Sequence, residues 1–163
     1  MQREGSYRSS LSVGKLSAAV DGSRSFAITD VGTDGANRPG SRQRCFRANV
    51  RIVFAGKEMI ALVDTGADVS VCSRRIVSDD DIYCLDTVFD VHGPKGEQLY
   101  ISGATDTKLE LGKYGVSQRF LVADDLSCDI ILGMDFLCRE RAVIDLDVNH
   151  VCFKAAGITL PLL

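Results

Sequence analysis

Residues Met59 to Val63 form a continuous apolar run, and directly behind it stands Asp64, followed by Thr65, Gly66, Ala67 and Asp68. A carboxylate delivered by a core strand sits in a low-dielectric setting, where it can act as a general acid or a general base. Ala67 keeps side-chain volume small where a bound chain would have to pass. Asp-Thr-Gly alone equally suits an ordinary surface turn. The weight therefore falls on its surroundings.

A second segment lies well downstream: Asp129-Ile130-Ile131-Leu132-Gly133, where the large apolar pair Ile131-Leu132 runs into a glycine at a strand-to-helix junction. With the loop at Ala61 to Ser70, the order and spacing of these motifs resemble the retroviral-type aspartic proteases (retropepsins), most closely those of Ty3/gypsy-like long-terminal-repeat retrotransposons. The resemblance covers roughly Phe46 to Leu163. It implies an all-β fold, a closed retropepsin-like acid-protease barrel with one short C-terminal helix. It also implies roles. Asp64 would be catalytic, with Thr65 bracing the loop across a dimer and Gly66 and Ala67 shaping it. Asp68 would face the substrate main chain. The hairpin from Asp90 to Leu99 would be a flap, with Val91, His92, Gly93, Pro94, Lys95 and Gly96 against the peptide, although Gly-Pro-Lys-Gly also suits a plain β-turn. Ile131, Leu132 and Gly133 would support the loop. Met134 and Asp135 stand where many retroviral members carry an arginine after that glycine, so any ion-pair network at the interface must differ. Arg47 is one candidate partner for Asp68 of another subunit; an exposed strand arginine is the other reading.

Hydrolysis of a peptide bond needs a base to activate water and an acid to protonate the carbonyl oxygen or leaving nitrogen. Two carboxylates about 3 Å apart share one proton and fill both roles as a pair. Pepsin-like chains carry two such loops. Here Asp86-Thr87 and Asp106-Thr107 are not followed by glycine, so a catalytic reading requires a homodimer with one aspartate from each subunit. The expected activity is an aspartic endopeptidase on a polypeptide, processing a retroelement polyprotein. Two alternatives stay open: a non-catalytic, domesticated interaction module on the same fold, and a host protease of the ubiquitin-shuttle or skin type.

The elements that must position these residues are mostly strands. Phe46, Ala48, Val50 and Ile52 alternate with polar partners, which predicts a strand with one buried face, turning at Ala55-Gly56-Lys57 into Met59–Val63, fit for burial on both faces. Further strands are expected over 69–72, 87–91, 98–102, 107–111 and 118–123, with turns at 93–96 and 112–115. Met134 to Ala142 predicts a short helix with Phe136 and Leu137 inward. From Val143 to Phe153 alternation returns, with Ile144, Leu146 and Val148 on the inner side and a turn at Asn149-His150. The closing Gly157 to Leu163 could add a strand to a dimer sheet or lead to a neighbouring polyprotein domain.

Residues 1–44 read as a separate basic, Ser/Gly-rich, mostly disordered or loosely docked segment, with only Ser25–Val31 fit for a strand; 45–163 form the protease-like domain. The first part holds seven Lys/Arg against four Asp/Glu, while the whole chain carries a formal charge of −3. Without interleaved aromatics this basic head gives little reason to expect nucleic acid. No apolar stretch approaches the roughly 20 residues of a membrane span, and the first residues lack a signal-peptide pattern. A reducing intracellular location, in cytoplasm or retroelement particles, is expected. The six cysteines (Cys45, Cys72, Cys84, Cys128, Cys138, Cys152) then read as free thiols, and with only His92 and His150 beside them neither a metal nor another cofactor is expected.

Overall fold

The computed structural model describes residues 10–12, 47–93 and 96–163. Ser10–Ser12 forms β1, and the remainder of the first 44 residues, including the expected strand at Ser25–Val31, lies outside the described residues. The alternation after Arg47 becomes β2 (Asn49–Phe54), whose Val50, Ile52 and Phe54 are buried. Ala55 and Gly56 both take positive φ (49° and 80°), the left-handed pair that matches a two-residue hairpin turn to strand twist. The turn leads into β3 (Lys57–Val63), paired antiparallel with β2 along its whole length.

Six strands close a barrel. β4 (Val71–Ser73), β7 (Ile101–Leu111), β8 (Tyr114–Ala123) and β9 (Ile130–Leu132) join β2 and β3 in the order β2-β3-β9-β4-β8-β7, and β7 returns to β2. Between β4 and β7 the chain makes a short hairpin, β5 (Asp90–His92) and β6 (Gln98–Leu99), and β1 pairs parallel with β5. After β9 a six-residue helix, α1 (Met134–Arg139), packs Phe136 and Leu137 inward. A three-stranded antiparallel sheet follows: β10 (Ala142–Asp145), β11 (His150–Phe153) and β12 (Ile158–Pro161). Among the described residues the fold is thus all-β with one short α-helix, as the resemblance implies.

The core has two parts. The barrel interior gathers Val50, Ile52, Phe54, Leu109, Phe120 and Phe136 among others, with Phe54 edge-on to Phe120 at 5.4 Å and Phe136 edge-on to Phe153 at 5.8 Å. A second cluster holds Ala67, Val71, Val91, Leu99, Leu121 and Ile131, joining the Asp64 loop to the β5–β6 hairpin.

Several elements differ from the sequence expectation. Met59–Val63 is not buried on both faces: Ala61 and Val63 enter the barrel, Leu62 packs partly against the second cluster, and Ile60 is 40% exposed. The strand expected over 98–102 divides at Tyr100: Gln98–Leu99 forms β6, while Ile101 and Ser102 run on with the strand expected over 107–111 as one 11-residue strand, because β8 pairs with nearly all of it. Strand β5 begins only at Asp90, and the turn between β7 and β8 is confined to Gly112-Lys113, with Leu111 opposite Tyr114. Leu146 and Val148 do not face inward. The Asp145 carboxylate accepts from the amides of Asp147 (3.0 Å) and Val148 (3.3 Å), which ends β10 in a tight turn and leaves Leu146 72% and Val148 56% exposed.

Among the described cysteines, Cys72, Cys84, Cys128, Cys138 and Cys152 are free thiols. Burial pushes the Cys72 thiol up to about 12, so at neutral pH it is protonated and shielded. In native chain, iodoacetamide should modify exposed Cys84 and Cys138 at least about tenfold faster than Cys72. Peptide mass spectrometry over a time course checks this; equal rates would mean that β4 opens on the labelling timescale.

Candidate active site

The end of β3 delivers Asp64 to the floor between the barrel and the second cluster. Three hydrogen bonds fix it there: its amide donates to the Leu132 carbonyl (3.0 Å), its carbonyl accepts from the Ala67 amide (3.2 Å), and its Oδ1 accepts from the Gly66 amide (2.9 Å). The side chain is 3% exposed. The loop therefore turns tightly around its own carboxylate, and a residue that is buried but not enclosed by ion pairs suits proton transfer. Thr65 is exposed on the rim, Gly66 half-buried, Ala67 fully buried, and Asp68 exposed.

The downstream segment lies alongside this loop. The amide of Met134 donates to the Ala67 carbonyl (2.7 Å) and that of Asp135 to the Asp68 carbonyl (3.2 Å). Ile131 and Leu132 belong to β9, which pairs parallel with β3 through Leu62 and Val63. At Gly133 the loop backbone leaves no room for a side chain: a Cβ there would stand 2.4 Å from the Val69 carbonyl oxygen and 3.0 Å from that of Ala67. Ile131, Leu132 and Gly133 thus run beside the loop, with their backbone against that of residues 62–69.

The hairpin expected as a flap is present. Val91 pairs with Leu99 and His92 with Gln98, while the Gly93 amide donates to the Glu97 carbonyl (2.7 Å) and Gly96 turns the chain at φ 83°. Pro94 and Lys95 lie outside the described residues. His92 is half-buried, with Nε2 3.6 Å from Asp90 Oδ1, and Gly96 is exposed. Val91 is fully buried in the second cluster, so its side chain anchors the hairpin from beneath.

Two features were not read from the sequence. A cavity of about 450 Å³ opens beside Thr65, lined by Ala48, Val63, Ile144, Leu146 and Leu162, with Arg47 at its edge. Its apolar wall depends on the turn that exposes Leu146, which alternation alone could not announce. The other is a polar junction of Ser70, Gln118 and Asp135 behind the loop; the sequence marks Asp135 only as a departure. Among the described residues no group of His, Cys, Asp and Glu is arranged to hold a metal ion, and no helix is long and apolar enough to cross a membrane.

The family described as "gag-polyprotein putative aspartyl protease" matches residues 50–139. The chain is 27% identical over 101 residues to the "Retrovirus-related Pol polyprotein from transposon 412" of Drosophila melanogaster, a match covering 60% of this chain but only 8% of that polyprotein. Among solved structures, the retroviral protease-like domain of Ddi1 from Leishmania major is similar in fold, with a TM-score of 0.56 at 23% identity, covering 74% of this chain and 96% of that one. The EIAV protease complexed with the inhibitor HBY-793 aligns with a TM-score of 0.49 at 23% identity, over 66% of this chain and 100% of that one.

Proposed function

Because this chain belongs to the gag-polyprotein aspartyl protease family, with a retropepsin-like fold, we propose that it is an aspartic endopeptidase, active as a homodimer with Asp64 from each subunit. The working domain in this reading is residues 45–163, and the substrate is a polypeptide, in the first place a retroelement polyprotein processed inside the cell or within particles. Water held between the paired carboxylates is the nucleophile. One carboxyl takes its proton while the other protonates the scissile carbonyl oxygen, and the roles exchange as the amine leaves.

The observation that carries this reading is the placement of Asp64 next to an uncovered apolar face. Thr65 stands on the rim of the 450 Å³ cavity, and the same surface includes Leu146, 72% exposed, and Leu163, 54% exposed. A second copy seated on this face by two-fold symmetry would bury those side chains and bring the two Asp64 loops together at the axis.

The reading is tested by sedimentation velocity of the full chain, with and without a statine-containing peptide that mimics the tetrahedral intermediate. Dimerisation tightened by the peptide links assembly to the site. Leu146→Asp should weaken the dimer by at least about tenfold by setting a charge in its apolar contact. Because Leu146 is exposed in the single chain, the fold of the monomer should be unaffected. A chain that stays monomeric at high concentration with the peptide present, and cleaves nothing, would instead favour a non-catalytic interaction module.

A further inference from the structure

We propose that the Asp135 carboxylate is a positioning group that sets the substrate-facing half of the Asp64 loop, an inference that rests on the protease reading for its kinetic consequences. Asp135 reaches the loop twice. Its backbone amide donates to the Asp68 carbonyl (3.2 Å), and its Oδ1 accepts from the Ser70 hydroxyl (2.7 Å). Ser70 is 1% exposed, and its Oγ in turn accepts from the Gly133 amide (3.1 Å). One hydroxyl thus joins the loop to both the glycine crossing and the carboxylate.

The carboxylate is also held within its own helix and from β8. Oδ1 also accepts from the Phe136 amide (2.8 Å) at the start of α1, and Oδ2 accepts from Gln118 Nε2 (2.8 Å) on β8. Gln118 is 3% exposed, and the same nitrogen donates to the Arg119 carbonyl (2.7 Å). A carboxylate that accepts from the loop, from the first turn of its own helix and from β8 joins all three in a rigid junction, because charge-assisted bonds are short and directional. Its load falls on residues 68–70. Asp64 is tied separately, through Leu132 and Gly66.

That division gives the junction a kinetic signature. Loosening residues 68–70 disturbs the side of the loop that holds the peptide, whereas the reacting carboxylate keeps its own supports. In the full chain, Asp135→Ala is expected to raise KM for a peptide substrate about tenfold with kcat within about twofold. Asp135→Asn, which keeps an acceptor oxygen for Ser70 and Phe136 but sets an NH2 against the Gln118 Nε2 donor, should recover part of the loss. Ser70→Ala should follow Asp135→Ala, and Ser70→Thr, which keeps the hydroxyl, should not. A role in folding alone would lower the active fraction, so kcat would fall at unchanged KM. Amide hydrogen exchange of the peptide spanning 64–70 gives a readout independent of activity, and exchange is expected to be faster in Asp135→Ala than in Asp135→Asn, and faster in both than in wild type. If wild type cleaves no peptide, the protease reading fails and exchange alone decides the loop. Unchanged exchange in folded Asp135→Ala, or unchanged KM in an active variant, overturns the positioning role.

Discussion

Asp64→Asn is expected to lower kcat/KM for peptide cleavage by at least about 10³-fold while leaving the fold intact, since general acid–base catalysis by a placed carboxyl contributes roughly 10²–10⁴-fold. The side chains are isosteric, and an asparagine Oδ1 can still accept the Gly66 amide that holds Asp64 at 2.9 Å. On the proposed dimer reading, what is lost is the ability to exchange a proton with the partner carboxyl. The thermal midpoint should therefore stay within about 3 °C of wild type. Mixing gives a sharper test. In an equimolar, fully exchanged mixture of wild type and Asp64→Asn, random pairing leaves about one quarter of the dimers with both carboxyls. Activity should fall to about a quarter of an all-wild-type sample at the same total concentration. A value near one half would mean that each chain works alone. A variant as active as wild type would remove Asp64 from the chemistry altogether.

The loop and the segment that runs beside it could be read from the sequence because both depend on local, one-dimensional features. A run of apolar residues ending in an acid must leave the core at that acid, and Asp64 does so behind buried Val63. Gly133 lacks a Cβ at a strand-to-helix junction, and it marks the point where the Val69 carbonyl approaches. Period-two alternation placed Val50 and Ile52 inside the barrel correctly, because one face of β2 meets the core over its whole length. The same rule failed beyond Ile144. There a side chain bonding to its own backbone, Asp145 to the amides of Asp147 and Val148, ends the strand and turns two apolar residues outward. The apolar run over Met59–Val63 misled for another reason. Its outer face meets the second cluster only at Leu62, so Ile60 stays exposed, and run length alone cannot tell one neighbour from two. Gln118 offered no signal. Its part in the junction comes from β8 passing behind the loop, a contact between residues 17 apart in sequence that only the barrel's closure brings together.

Gly133→Ala should be the most damaging small change outside the acid itself. The glycine's φ of −89° suits any residue, so the cost comes from space and not from backbone conformation. An added Cβ would lie 2.4 Å from the Val69 carbonyl oxygen, 2.5 Å from its carbonyl carbon and 3.0 Å from the Ala67 carbonyl oxygen. All three are main-chain atoms, so no side chain can swing aside to relieve them. Relief requires β9 and the loop to part, which stretches the Asp64–Leu132 and Met134–Ala67 hydrogen bonds together. Overpacking alone costs about 1–3 kcal/mol, and with those bonds strained the loss should reach about 3 kcal/mol or more, lowering the melting midpoint by roughly 10 °C. Circular-dichroism melts measure this directly. The same displacement moves Asp64, so the fraction that remains folded at low temperature should also cleave at least about tenfold more slowly. Alanine tolerated with an unchanged midpoint would show that the crossing can widen without cost, and the rigid support assigned to Gly133 would have to lie elsewhere. Loss of stability with full activity in the folded fraction would separate the two effects, leaving Gly133 to the fold and the position of Asp64 to its bond with the Gly66 amide.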